Sequence, residues 1–453
     1  MTAATTHLRP LMESPAARSA AMKCLWIGRY MPYPLDAGAK VYSAKLAESL
    51  VAAGAKVRFL GFGRADAAPR NSGVEYIPVG SEPRSQIAAM FSRLPIAAAI
   101  DSTAAYANLL EEQLCAEWDA IVFDGYGTGW ALPRCLAYVK QQSTRRTVLV
   151  HVSHNHEAAV WKSMANEARG SLVKRLALWQ NALKVRALER KVVAQVDLVS
   201  AICDEDLQAL GVALPRDQTV TLTPGYAGPV VTERFIGDWT PRRVVIVGSF
   251  RWAPKQENLA RFVECADPLF KAHDIHLDII GDVPEELLAT LRSRCQATTF
   301  HGFVDDMGPV LNQARIAIVP ELIGGGFKLK FLDYFFGRIP VATLSDAAAG
   351  LPSSLRELMF AESNLPDLVG CIVANIDRLD RLNHFQDRAF HIARSLFRWE
   401  DRGVRLKHVI AHVQHRWAQA RELQLQPQAS GIDGANGIGG IKDYAPPLNR
   451  MTD

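Results

Sequence analysis

Two series of short apolar runs constrain this chain more than anything else in it. CLWIG (24–28), KVRFLGF (56–62), AIVFD (120–124), TVLVHV (147–152) and LVSAI (198–202) form the first series. VVIVGSF (244–250), LDIIG (277–281), IAIVP (316–320) and PVATL (340–344) form the second. The runs are rich in Val and Ile, apolar at consecutive positions, and separated by helical patterns. A strand that is apolar on both sides has both sides covered, which marks a parallel sheet between layers of helix. The Pro- and Gly-rich stretch TLTPGYAGPVV (221–231) separates the two series. The chain therefore reads as α/β, with two Rossmann-like domains whose parallel sheets face each other across a cleft.

Composition supports that reading and narrows the function. A length of 453 residues suits two or three domains, and 49% apolar residues supply two cores. The net charge of +4 suits anionic ligands or a membrane surface, and falls far short of a nucleic-acid signature. Seven cysteines stand singly with no CxxC pair, as buried thiols in a reducing compartment do. No stretch reaches the roughly 18 to 20 apolar residues of a membrane span. Residues 1–21 lack the apolar core of a signal peptide and are expected to be a disordered leader. The Gly-, Pro- and Asn-rich residues 423–453 are expected to be a disordered tail.

The stretch GGGFKLKFLDYFFGRIPVAT (324–343) carries the most chemistry. It follows IAIVP, at the carboxyl end of a parallel strand, where open α/β sheets bind ligands. Leu329, Leu332 and Phe336 fall at spacings of three and four, which predicts a helix starting near Phe327. The first turn of a helix has unpaired N–H groups and partial positive charge, and preceding glycines let an anion approach them. Lys328 and Lys330 add full charges that an anionic ligand would compensate. Asp333, one to two turns further in, is placed to accept hydrogen bonds from ribose hydroxyls. The plainer alternative is a Gly-rich turn with solvated lysines.

The same stretch resembles the nucleotide-sugar segment of GT-B glycosyltransferases, in particular the large retaining family 4 (group 1) type. Gly326-Phe327-Lys328-Leu329-Lys330-Phe331-Leu332-Asp333, then Gly337 and Pro340-Val341, match a variant of that segment. Four other pieces resemble the family in the expected order: 29–57, HVSHNHEAAVWKSMA (151–165), VGSFRWAPKQENLARFVE (247–264) and HGFVDDMGPVLNQARIAIVP (301–320). The resemblance spans roughly residues 22 to 420. It implies a first domain at 22–222 on the acceptor side, a linker at 223–241 and a nucleotide-sugar-binding domain at 242–403. A helix at 404–422 would then cross back to the first domain, in keeping with the apolar stripe of Val404, Leu406, Val409, Ile410, Val413 and Trp417.

Roles follow from the resemblance residue by residue. His154 matches the catalytic histidine. The donor diphosphate would rest on Lys328 and Lys330, with Arg251 and Lys255 as further candidates. Phe303 and Val304 would hold the base, Gly325, Gly326 and Phe327 would line the loop, and Gly38 would let the first domain approach the donor. The family commonly carries two glutamates eight positions apart, where this chain has Gly325 and Asp333, so recognition of the donor sugar is altered. Glu321 is a candidate substitute for the first. Asp204-Glu205-Asp206 is a DxD, but its place after LVSAI reads as a helix cap at Asp204. No metal site and no cofactor is expected.

Between Lys162 and Lys191 stand eight Lys or Arg against two Glu, interleaved with Trp161, Leu172, Leu176 and Trp179. Such a segment docks on an anionic lipid surface or is simply a solvated helix face. SQIAAMFSRLPIAAAI (85–100) is a second candidate for that contact. The expected function is transfer of a sugar from a UDP- or GDP-linked donor to a glycan or lipid-linked acceptor, with no nucleic-acid partner. The expected place is the cytoplasm, or peripherally the inner face of the cell membrane. The alternatives are a GT-B nucleotide-sugar epimerase and a non-catalytic homologue that binds the donor.

Overall fold

The computed structural model describes residues 21–64, 68–167, 172–211, 215–251, 253–322 and 327–425. The first sheet contains β1 (Lys23–Tyr30), β2 (Lys56–Phe62), β3 (Glu75–Pro78), β4 (Ala120–Asp124), β5 (Val148–Val152), β6 (Leu198–Ala201) and β7 (Thr219–Thr221). Its order is β3-β2-β1-β4-β5-β6-β7, and every pair is parallel. The second contains β8 (Arg243–Val247), β9 (His276–Ile280), β10 (Thr298–Gly302), β11 (Ile316–Val319), β12 (Val341–Leu344) and β13 (Phe360–Glu362). Its order is β10-β9-β8-β11-β12-β13, again parallel throughout.

Each of the nine apolar runs is a strand. The four further strands, β3, β7, β10 and β13, are the four sheet edges. An edge strand has a neighbour on one side only, so its sequence need not be apolar at every position. Each sheet has its own core, built around residues such as Ile27, Phe123 and Leu149 in the first and Ile246, Phe262 and Phe335 in the second. In both, the strand order changes direction at the centre, between β1 and β4 and between β8 and β11. These are the switch points at which open α/β sheets leave a crevice for ligands.

Seven helices shape the site and its surroundings: α1 (Gly38–Ala52), α2 (Glu157–Glu167), α3 (Leu172–Val193), α4 (Asp204–Leu210), α5 (Ala253–Ala272), α6 (Lys330–Phe336) and α7 (Trp399–Leu425). Two differ from expectation. α6 begins at Lys330, not near Phe327, because the chain first makes a tight turn in which Phe331 and Leu332 donate to the carbonyls of Lys328 and Leu329. Asp204 is the first helical residue of α4, with Cys203 at the cap; its carboxylate instead accepts from the Thr221 hydroxyl at the neighbouring strand end. No described helix is long and apolar enough to cross a membrane. The leader lies outside the described residues except for its last residue, and the tail except for 423–425.

The chain passes between the two domains twice, and the two passages run side by side. Tyr226 N donates to Phe397 O at 2.9 Å, and Arg402 donates to the Thr223 carbonyl and hydroxyl at 2.6 and 2.9 Å. α7 then lies on the first domain, where Lys407 Nζ donates to Ala53 O at 2.6 Å and Gln414 Nε2 to the carbonyls of Asp119 and Arg146. Leu406, Ile410 and Val413 are buried there. Gly403 sets the approach, because a Cβ on it would lie 1.9 Å from the Ser49 carbonyl oxygen of α1.

Helix propensity alone makes Gly403→Ala stabilising by about 1 kcal/mol. The backbone contact makes it destabilising, by about 1–3 kcal/mol as for other overpacked sites. Urea denaturation should therefore show a loss of stability. A gain would mean that α7 does not approach α1 this closely.

Candidate active site

The first half of the site sits where β4 and β5 end. Strand β4 is buried along its whole length, and Asp124 closes it with a carboxylate that is nearly inaccessible. The Trp26 indole N–H, from β1, donates to Asp124 Oδ2 at 2.8 Å. His154 follows β5 and its Nε2 meets Asp124 Oδ1 at 2.5 Å. The Tyr42 ring from α1 lies edge-on to the imidazole, with centroids 5.3 Å apart.

Burial works against charge on both partners, and their attraction overrides it. It would raise Asp124, but the charge of His154 and hydrogen bonds from His154, Ser43 and Trp26 hold that carboxyl below its usual value. Burial would lower His154, but the charge and hydrogen bond of Asp124, with Glu157 nearby, raise it. Each partner thus favours the charged form of the other.

The loop around His154 is fixed from both sides. Ser153 N donates to Ser200 O, its hydroxyl donates to Asn155 O, and Asn155 Nδ2 donates to Glu157 Oε1 at 3.1 Å. Glu189, buried on α3, accepts from the N–H groups of Glu157 and Ala158 at 2.9 and 3.1 Å and so caps α2. Burial pushes Glu189 up to about 7, against those backbone bonds. His151 lies inside β5, and burial pushes it down to about 4, as for a packed neutral imidazole.

The second half lies at the end of β11. Glu321 is buried, and Lys330 Nζ pairs with its Oε1 at 2.7 Å while Lys328 Nζ stands 3.9 Å from Oε2. Burial would raise Glu321, but the charges of Lys330 and Lys328 and the Lys330 hydrogen bond lower it, with Lys255 adding to the effect. Lys255, from α5, is itself lowered by burial and then by the charge of Lys330. Glu321 thus lies in the field of three lysines, and Lys328 is also under the charge of Asp206. Asp333 on α6 is pushed up to about 6 by burial, against a hydrogen bond from Tyr226 and the charge of Lys330.

The remaining expected residues fall around these two centres. Arg251 is exposed and paired with Asp282. Phe303 is exposed, and Val304 packs on the edge of the second core. Phe327 packs on Phe397 with ring centroids 5.7 Å apart. Gly325 and Gly326 lie outside the described residues. The two halves touch at the chain leading into α6. A Cβ on Gly38 would lie 3.2 Å from Leu329 Cδ1, and one on Gly350 would lie 3.5 Å from Cys203 Cβ and 3.6 Å from Phe327 Cα.

Sequence reasoning missed Asp124 and Glu189. For Asp124 the signal was present, as an acid closing the apolar run AIVFD at the carboxyl end of a central strand. Glu189 carried none, standing in a charged stretch of helix. Glu321, a candidate contact for the donor sugar, pairs with Lys330. Among the described residues no group of three His, Cys, Asp or Glu side chains is placed to hold a metal ion.

Residues 241–376 match the family model described as Glycosyl transferases group 1. No curated protein sequence matches the chain. Among solved structures, Anabaena HepE in complex with UDP and glucose is similar over 89% of this chain and 100% of its own, with TM-score 0.56 and 13% identity. WaaG, a glycosyltransferase involved in lipopolysaccharide biosynthesis, is similar over 85% and 99%, with TM-score 0.55 and 15% identity. TarM is similar over 86% and 99%, with TM-score 0.61 and 8% identity. In its two-sheet fold throughout, and in sequence over residues 241–376, this chain resembles the GT-B, group 1 glycosyltransferases.

Proposed function

We propose that the protein transfers a sugar, with retention at the anomeric carbon, from a UDP- or GDP-linked donor to a glycan or lipid-linked acceptor. Its product would be a polysaccharide or glycoconjugate. One observation carries this reading. At each switch point a buried carboxylate fixes a cation, Lys330 on Glu321 and His154 on Asp124, and the two edges meet through Gly38 and Leu329. The HepE structures with UDP and with UDP-glucose support a nucleotide-sugar donor for this fold.

In this reading the bond between the sugar carbon and the diphosphate oxygen breaks, and its electron pair leaves with the diphosphate. The negative charge that grows there falls to Lys328, Lys330 and Lys255, which are preorganised around Glu321 in a site of low exposure. Lysine neutralisation leaves no step that calls for a divalent metal. His154 has Nε2 committed to Asp124, so Nδ1 is the nitrogen that orients the donor sugar. Asp333 accepts from the ribose, Phe303 and Val304 flank the base, Arg251 swings from Asp282 to the phosphates, and the backbone of Gly325, Gly326 and Phe327 completes the loop.

The acceptor reading leans on α3. Leu172, Leu176 and Leu183 lie on one helical face and are 78, 71 and 61% exposed, with Trp179 on the same stripe. Ile87 and Phe91 are 74 and 88% exposed, on a segment that Lys184 ties to α3 through the carbonyls of Met90 and Ser92. Exposed apolar groups among cations fit peripheral contact with an anionic membrane surface, at the inner face of the cell membrane.

Four outcomes test this reading. Lys330→Met in a Glu321→Gln background leaves no buried charge unpaired. It should weaken UDP or GDP binding by about 1.5–3 kcal/mol for each charge-assisted bond lost; unchanged calorimetric affinity would take the lysines off the phosphates. His154→Ala should lower kcat far more than donor affinity, and normal turnover would leave His154 a structural residue. Release of UDP or GDP that needs an acceptor separates transfer from epimerisation, which turns over with donor alone. Leu176→Glu with Leu183→Glu should abolish sedimentation with vesicles containing anionic lipid while leaving nucleotide binding intact, and persistent sedimentation would refute the α3 contact.

The charged pair also fixes a pH dependence. His154 is raised, so its contribution to stability is complete below about pH 6.5 and is lost as pH rises through the folded value. Asp124 is lowered, so its contribution is present above about pH 3.9 and is lost as pH falls through its folded value. Asp124→Asn should flatten the Tm profile on both flanks and move the His154 titration, followed by NMR, to lower pH. A His154 titration indifferent to that substitution would show that the two are not coupled.

A further inference from the structure

Helices α2, α3 and α4 enclose a groove of about 630 Å³ on the first domain. That volume falls within the roughly 300–1,000 Å³ of small-molecule sites. Its apolar lining is small and smooth, from Ala158 and Ala159 on α2, Val193 and the following Ala194, and Ala209 and Leu210 on α4. Its rim is cationic. Arg186 and Arg190 are one turn apart on α3, and Lys162 stands on α2. None of these three side chains makes a hydrogen bond or ion pair among the described residues.

The other polar groups of the groove do not cancel that charge. Among the described residues Glu189 is the one acid lining it, with Asp206 close enough for its charge to be felt there, and the Glu189 carboxylate is engaged by the N–H groups of Glu157 and Ala158. Burial lowers His156, against the charge of Asp206, and its Nε2 stands 3.7 Å from Glu189 Oε2. Three cations against one carboxylate that burial pushes up to about 7 leave a net positive rim, suited to a phosphomonoester with close to two negative charges at neutral pH. Two arginines suit phosphate oxygens, which accept paired N–H bonds. A bare phosphate would leave the apolar lining unused, so the occupant has an apolar part as well.

The position gives the groove a role. His156 lines it and stands two residues beyond His154, a backbone distance of at most about 7 Å. At the other end, Leu183 of the outward apolar stripe precedes Arg186 by less than one turn of α3. A molecule with hydrocarbon at the stripe and phosphate at the arginines would lead toward the His154 loop.

We infer that this groove binds the phosphate of an amphiphilic acceptor, with Arg186, Arg190 and Lys162 on the phosphate and the alanine-rich floor against its apolar part. That the ligand is an acceptor rests on the function proposed above; the binding site does not. The test uses full-length protein labelled at alanine methyl carbons. It is titrated with decyl phosphate below its aggregation concentration, with decyl maltoside as a neutral amphiphile, and with inorganic phosphate. Decyl phosphate should shift the methyl signals of Ala158, Ala159, Ala194 and Ala209, at least tenfold more tightly than either control. Arg186→Ala with Arg190→Ala should weaken it at least tenfold and leave UDP affinity unchanged. Unmoved signals, an equal response in the double variant, or inorganic phosphate or decyl maltoside acting as well as decyl phosphate would each overturn the proposal. UDP failing to bind while the groove titrates normally would overturn the donor reading and leave this site standing.

Discussion

Two separately cored sheets can act on one ligand only if the chain that joins them keeps their carboxyl edges together. That constraint is met where the two passages between domains lie side by side. Gly225 has no room for a Cβ against Trp399 N, and Gly403 has none against Ser49 O. Arg402 ties the second passage to the first through Thr223. Tyr42 belongs to both arrangements, since its ring meets Trp399 on one side and His154 on the other. One aromatic ring thus separates the crossing from the imidazole.

Charge is arranged on the same plan in each half, and the difference between the halves has chemical meaning. Asp124 ends β4, and Glu321 lies just beyond β11, the topologically equivalent strand of the second sheet. Each is a buried carboxylate whose ionisation is sustained by a cation. On the Asp124 side the match is one to one, so the pair orients an imidazole without leaving surplus charge. On the Glu321 side three lysines surround one acid, with Asp206 also acting on Lys328. A fixed counter-ion holds Lys330 in place before any ligand arrives, which spares reorganisation when negative charge develops.

The sequence announced the interior of this fold and concealed its margins, for one physical reason. A strand flanked on both sides and covered on both faces must be apolar at nearly every position, as in IAIV of β11. An edge strand such as EYIP or FAE meets weaker demands and looks like loop. The site divides in the same way. Lys328 and Lys330 stand out because cations are uncommon beside a Gly-rich turn, whereas Asp124 hides at the end of an apolar run. Which cation Asp124 holds depends on β4 and β5 being neighbours, and that is a fact of topology absent from local spacing. The late start of α6 has a similar cause, because a tight turn and the first turn of an α-helix show the same spacing of apolar residues.

Helix α3 shows what periodicity cannot decide. Its sequence is apolar around much of its circumference, and spacing alone cannot tell the stripe that meets the core from one that meets something else. The core takes Val185, Leu188 and Val192. Leu172, Leu176, Trp179 and Leu183 are left facing outward, with Ile87 and Phe91 nearby, and a water-facing surface gains nothing from them. Apolar area removed from water stabilises by about 25 cal/mol per Å², so such a stripe has a standing tendency to be covered. Toward the end of α3 the outward residues become Arg186, Arg190 and Lys191, which a hydrocarbon layer would reject and a phosphate layer would accept. An interface that changes from hydrocarbon to phosphate over a few ångströms matches that change along the helix, and on the proposed membrane contact the groove of Arg186 and Arg190 would lie at the depth of the phosphates.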